Sequence, residues 1–256
     1  MKILSISNQK GGVGKTTTAV NLAASLSMKK QKVLLIDLDP QGNASSGAGI
    51  EKSKLTHSIY DALIEKLNMT NVIISSKDNL FDIAPANQAL AGAEVEMVNI
   101  KKREYVLKSA LEDIKQKYDY VLIDCPPALN LLTVNALTAS QSVLIPMQCE
   151  YYALEGLSDL VNTIKKVKKK LNPDIEIEGL LRTLFDKRNT LAKEVSDQLS
   201  VYFGSKVYET VIPRNVRLAE APSYGKSIMT YDKSSKGAKA YKQLADEIIK
   251  GHKNEK

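Results

Sequence analysis

Between residues 8 and 23 the chain reads "NQKGGVGKTTTAVNLA". The short apolar segment "ILSIS" (3–7) precedes it, and apolar residues then recur at Ala19, Leu22, Ala23 and Leu26, the spacing of a helix. A strand, a glycine-rich loop and a helix in that order can cradle phosphate. Gly11, Gly12 and Gly14, with Val13 between them, let backbone N–H groups turn inward. A helix beginning near Lys15 adds its positive dipole end. Lys15 can reach β and γ phosphates, the Thr16 hydroxyl can ligate Mg²⁺, and Thr17 can bond an α-phosphate oxygen. A ligand-free turn would use similar residues, but the strand–loop–helix context argues against it. The match to G-x-x-x-x-G-K-[ST] is not plain, because Gln9 stands at the first glycine position. Lys10 also precedes Lys15 by five residues, and a phosphate cradle needs only one lysine.

Outward from this loop, strand-like and helix-like segments alternate. "KVLLID" (32–37) is apolar on both faces, as a central parallel strand requires. Segments 80–86, 118–127, 142–147 and 175–181 read the same way, and helices are expected over 102–117, 154–171, 189–203 and 234–250. Repeated β-α units imply one α/β domain over 1–256, a mostly parallel twisted sheet with helices on both faces. Right-handed crossovers place the strands' C-terminal ends along one edge, where ligands bind.

Carboxylates are expected at that edge. Asp37 and Asp39 in "LLIDLDPQGN" are two residues apart and point the same way on an extended chain. One can serve Mg²⁺ through water while the other orients an attacking water; a solvated turn before Pro40 is the plain alternative. "YVLIDCPP" ends an apolar strand on Asp124, which delivers a second carboxylate to a Mg²⁺ shell, and Pro126 and Pro127 stop the strand. Cys125 lacks metal-ligand partners nearby and reads as packing.

Composition is that of an ordinary globular chain: 256 residues, 43% hydrophobic and 25% charged. Cys125 and Cys149 make no disulfide framework, which suggests a reducing compartment. No signal peptide, spanning segment or lipidation motif is read, and "IIKGHKNEK" at the end is polar. The net charge of +7 is uneven, with 16 basic and 15 acidic residues in 1–150 against 20 and 14 in 151–256. From Lys206 to Lys242 the count is 8 basic to 3 acidic, which suits a polyanion partner or a solvated lysine-rich surface equally.

"KGGVGKTT" resembles the deviant Walker A loop of the ParA/MinD group of P-loop ATPases. Four further blocks, "VLLIDLDPQGNASSG", "YDYVLIDCPPALNLLTVNAL", "VLIPMQCEYYALEGL" and "VIPRNVRLAEAPSYGKSI", look like ParA/Soj chromosome- and plasmid-partitioning ATPases of the short type, without an N-terminal helix-turn-helix domain. The resemblance implies ATP and Mg²⁺ as cofactors, with Lys10 to Thr17 on the phosphates. Lys10 acts in trans on a partner's nucleotide and Lys15 in cis; Asp39 is hydrolytic, and Asp37 is a metal-shell or loop-positioning group. Pro213 and Asn215 meet the adenine, Glu150 lies at the dimer face near the partner's ribose, and Gly12 stands where dimer approach is tight. It further implies an ATP-bound homodimer on non-specific double-stranded DNA, stimulated by a ParB/Spo0J-like protein, cytoplasmic and nucleoid-associated. Candidate DNA contacts are Arg182, Lys187, Arg188, Arg214, Arg217, Lys226, Lys233 and Lys236. With no tryptophan and three phenylalanines, duplex backbone binding fits better than base stacking. A MinD-like membrane switch is the alternative. It needs an amphipathic C-terminal helix with bulky apolar residues, which the polar ending lacks. A metabolic ligase built on the same loop would need a second substrate pocket, and a cluster carrier would need spaced cysteines.

Overall fold

In a computed structural model of the chain, which describes residues 1–151 and 153–254, the expected α/β sheet forms. Tyr152 of the "QCEYYALEG" block and the last two residues of the polar ending lie outside the described residues. The strands are β1 (Lys2–Ile6), β2 (Val33–Asp37), β3 (Ile74–Ser76), β4 (Phe81–Ala84), β5 (Tyr120–Asp124), β6 (Ser142–Gln148), β7 (Glu176–Phe185) and β8 (Val207–Pro213). Their order across the sheet is β3-β4-β2-β5-β1-β6-β7-β8. Every pairing is parallel except β3 with β4.

Strand β1 sits at the switch point. The chain leaves it through helix α1 (Lys15–Met28) toward β2 on one side, and β6 pairs with its other edge. The crevice at its C-terminal end is therefore where such a sheet binds ligand. The central strands are buried on both faces, as their unbroken apolar runs require. On one face Leu4, Ile6, Leu35 and Leu122 pack against α1 and against Tyr241, Leu244 and Ile248 of the last helix, Lys236–Asn254. On the other, Ile3, Leu34, Ile36 and Ile123 pack beneath the helices Leu90–Met97 and Leu131–Ala139. A third cluster joins β6 and β7 to the helices Ala153–Lys170 and Thr190–Phe203.

Two expectations needed correction. Residues 102–117 are not one helix but a 3₁₀ turn at Arg103–Tyr105, a short helix at Val106–Ala110 and another 3₁₀ turn at Glu112–Ile114. The cause is Asn135. Its Oδ1 accepts from Leu107 N at 3.1 Å and its Nδ2 donates to Arg103 O at 2.9 Å, so it replaces the hydrogen bond those two groups would share in a helix. Strands β3 and β8 add to the strands that the apolar runs mark. Both lie at sheet edges, where a strand need not be apolar on both faces.

Candidate functional site

The loop from Asn8 to Lys15 is pinned from neighbouring strands. Asn8 Nδ2 donates to Pro146 O at the end of β6 (2.8 Å), and its Oδ1 accepts from Lys10 N (3.0 Å). Thr183 of β7 donates to Val13 O (2.7 Å), with Val13 itself buried. Gly12 (φ 74°) and Gly14 (φ 86°) hold left-handed backbone that a side chain would strain. A Cβ on Gly12 would meet nothing within 4 Å in this protomer, so within one copy it is the backbone conformation that demands glycine there. Gly14 hands the chain to α1, whose first N–H groups face the crevice.

The two lysines of this loop point to different places. Lys15 turns into the loop and donates to Lys10 O at 3.0 Å; its ammonium is largely buried, and desolvation pulls its pKa below the usual lysine value against the raising influence of Asp124. Lys10 turns outward, and its Nζ meets Glu150 Oε2 at 2.5 Å with both side chains nearly half exposed.

Three carboxylates converge beside Lys15. Asp37 and Asp124 end adjacent strands in register, both fully buried. Burial raises the Asp37 carboxyl to about 6, and burial followed by the Asp37 charge pushes Asp124 well above the usual range. Asp37 is spent on its own loop: Oδ2 accepts from Ser45 N and Ser45 Oγ, each at 2.7 Å, and Oδ1 from Asp39 N at 3.2 Å. Asp124 keeps one oxygen open. Oδ2 accepts from Thr16 Oγ1 at 2.7 Å, while Oδ1 is buried without a hydrogen-bond partner. An orphaned carboxylate oxygen beside a hydroxyl is a donor set suited to Mg²⁺. No three His, Cys, Asp or Glu side chains among the described residues could hold a metal by themselves, so a cation here needs oxygen ligands from water or a bound anion as well. Asp39 is half-buried, with Oδ1 accepting from Gln41 N at 2.9 Å.

A cavity of about 580 Å³ opens on this group. Gly11, Gly12 and Gly14 to Thr17 line one side, Asp39 and Gln41 the rim, and Gly47, Pro222 and Lys226 the far wall. That wall is fastened by Asn79, which the sequence did not mark. Its Nδ2 donates to Ala48 O and Gly225 O, each at 3.1 Å, and its Oδ1 accepts from Ser227 N at 2.5 Å. Asn21 of α1 does similar work, taking Ile228 N on its Oδ1 at 2.7 Å. A buried asparagine facing loop backbone leaves no trace in periodicity or motif. Thr183 and Gln41 are equally silent, although Gln41 stands inside "DPQGN".

The other expected residues divide. Pro213 and Asn215 lie at the C-terminal end of β8, on the loop's edge of the sheet but outside the lining of this cavity. Asn215 Oδ1 caps the helix Val216–Glu220 through Leu218 N (3.2 Å). Of the basic candidates, Lys187, Arg188, Arg214, Arg217, Lys233 and Lys236 are exposed and follow β7 or β8 at that same edge. Arg188 grips Asp186 through two nitrogens, and Arg217 pairs with Glu220 and Asp232. Arg182 turns inward instead, donating to Ser196 Oγ, Tyr208 O and Glu209 O, because β7 runs longer than expected and carries it between neighbours. Lys226, expected on DNA, lines the nucleotide-sized cavity. Cys125 and Cys149 are buried thiols; burial raises both, Cys149 to about 11, which leaves them inert at neutral pH.

Comparison with known proteins agrees with this geometry. A family model described as an AAA domain (AAA_31) matches residues 1–177. The sporulation initiation inhibitor protein Soj of Bacillus subtilis strain 168 is 56% identical over 247 residues, covering 96% of this chain and 98% of Soj. The chromosome partitioning protein ParA of Myxococcus xanthus is 52% identical over 249 residues, covering 97% of this chain and 88% of that protein. Among solved structures, cobyrinic acid a,c-diamide synthase from Mycobacterium smegmatis, with bound ATP analogue and magnesium, superposes with a TM-score of 0.88 at 35% identity, covering 100% of this chain and 97% of its own.

Proposed function

Because the chain belongs to the ParA/Soj family of chromosome-partitioning P-loop ATPases, we propose that it hydrolyses ATP in a homodimer that closes on the nucleotide and holds double-stranded DNA without sequence preference. A ParB-like protein then stimulates hydrolysis and releases the DNA. The observation that carries this reading is the opposed direction of the two lysines. Lys15 lies inside its own cradle, whereas Lys10 points to the surface, paired there with Glu150, a position from which it can be offered to a second copy.

Within that reading each side chain has a task. The loop N–H groups and the start of α1 bind the phosphates. Lys15 exchanges its bond to Lys10 O for the β and γ oxygens. Thr16 and Asp124 would hold Mg²⁺, which when bound offsets the charge of those oxygens. Asp39 orients the attacking water; the water oxygen bonds to the γ-phosphorus as the bond to the β,γ-bridging oxygen breaks, the water proton passes to the departing phosphate, and ADP and inorganic phosphate leave. Lys10 of the partner subunit places a second cation against the charge that spreads over the γ oxygens. Asp37 acts through Ser45 and the Asp39 N–H, fixing the loop that carries Asp39.

The test is retention on duplex DNA with ATP, ADP or no nucleotide across a salt series. Retention with ATP alone and a steep loss with salt are expected; equal retention in all three states removes the switch from the reading. Asp39→Ala should bind ATP and DNA yet release neither, seen as a complex that outlives the native one. The membrane-switch alternative loses its main device, since the apolar face of the helix Lys236–Asn254 is already buried against α1 and β8. Cosedimentation with anionic liposomes would restore it.

A further inference from the structure

A second run of cations lies away from the basic segment at the C-terminal edge. The helix Ala153–Lys170 ends in "IKKVKKK", and its inward stripe of Leu157, Leu160, Ile164 and Val167 is buried in the core. The rest of its last turns is lysine. Lys165, Lys166, Lys169 and Lys170 are exposed and make no ion pair among the described residues, while Lys168 alone is matched, by Glu176. This helix returns the chain from β6 to β7, so those lysines sit at the N-terminal edge of the sheet, opposite the phosphate loop. Across the same edge, Lys30 and Lys32 precede β2, exposed and in no ion pair among the described residues, and Lys32 O accepts from Asp119 N and Tyr120 N at the start of β5. In the strand order, β2 and β7 are four steps apart, about 19 Å within the sheet, and the helix Ala153–Lys170 adds a layer beyond it. Four like charges on the last two turns exceed what a helix dipole needs, and they repel one another at three- and four-residue spacing.

We infer that this N-terminal edge is a second duplex-DNA surface, one that grips phosphates on a segment separate from any held at the opposite edge. The inference rests on the DNA-binding reading above. Two copies that meet through the edge bearing the phosphate loops turn their N-terminal edges to opposite poles. Duplex DNA is stiff over about 150 base pairs, so one short duplex cannot reach both poles, and each pole takes its own. The lone protomer then has one polar face and the ATP-closed dimer two. Closure thereby raises avidity for a DNA-dense surface without altering any contact.

The experiment uses the full chain with a non-hydrolysable ATP analogue and two probes: a short duplex fixed to beads and a second, fluorescent duplex of the same length. The native protein should bind the first and capture the second. The variant K165Q/K166Q/K169Q/K170Q should capture at least ten-fold less of the second. Its plot of log affinity against log salt should be shallower by roughly 2 to 4, at about 0.9 for each lost phosphate contact. Nucleotide binding and thermal unfolding check that it folds; should it not, K30Q/K32Q at the other end of the face gives the same readout. Native-like capture and slope in a folded variant overturn the inference while the DNA-binding reading stands, and so does a native dimer that never captures a second duplex. A native protein that holds no duplex in any nucleotide state overturns both.

Discussion

Lys10 and Lys15 share a loop and a charge, yet replacing them should have different consequences. Lys15→Ala removes the buried cation from the cradle, and affinity for a fluorescent ATP analogue should collapse. Lys10→Ala leaves the cradle intact; ATP should still bind, while partner-stimulated hydrolysis drops roughly 1,000-fold, the lower range for a cation supplied in trans. Equal loss of binding in both variants would return Lys10 to its own cradle. Asp37 offers a pH signature. Its folded pKa of about 6 lies above the ordinary 3.8, so between about pH 4 and 6 the unfolded chain releases this proton first and the folded state loses stability as pH rises. Asp37→Asn removes that dependence. The difference in unfolding free energy between the two proteins, from urea titrations without nucleotide, should tilt toward the variant across this window and go on tilting above it, because the Asp37 charge also holds the Asp124 carboxyl up. The phosphate loop and the ends of β2 and β5 were legible because glycine, lysine and aspartate at strand ends have few other uses. Arg182 was not: its sequence position shows its charge, but only the length of β7 shows that the guanidinium faces Tyr208 and Ser196.

Among elements, the walls of the cavity meet at glycine. Gly49 and Gly225 both hold left-handed backbone, and a Cβ on Gly225 would lie 2.7 Å from Gly49 Cα. Neither backbone can yield without moving α2 (Asn43–Gly47) or the turn that carries Lys226. Gly225→Ala should therefore lower stability by at least 1–3 kcal/mol in chemical denaturation and weaken ATP binding as well, since the cavity wall shifts. A change in stability with unaltered ATP affinity would detach this turn from the site. The central strands were readable because burial on both faces leaves an unbroken apolar run. "VYETVIP" of β8 alternates instead, and its neighbour on the outer side is a side chain, Glu247, which takes the N–H groups of Glu209 and Thr210. The expected helix over 102–117 had the right periodicity at Leu107, Leu111 and Ile114. It failed on one long-range polar contact, from Asn135, that no local pattern encodes.

For the whole molecule, charge sits at both edges of one sheet, and not every exposed cation is free to act. Arg188 and Arg217 already hold carboxylates, whereas Arg214 makes no ion pair among the described residues. Arg214→Glu should weaken ATP-dependent DNA retention more than Arg217→Glu, with ATP-dependent dimerisation by light scattering unchanged for both. The opposite ranking would mean that the Glu220 and Asp232 pairs open on DNA.

The contact between Lys10 and Glu150 adds a toll on encounter. Each copy keeps its outward ammonium moored to its own carboxylate, and in the proposed dimer both moorings have to open before Lys10 can reach the other copy's nucleotide. An exposed mooring holds by about 1 kcal/mol or less, so it slows the handshake without forbidding it. Added electrolyte loosens it even as the same electrolyte strips the polyanion away, so assembly and cargo should respond to brine in opposite senses.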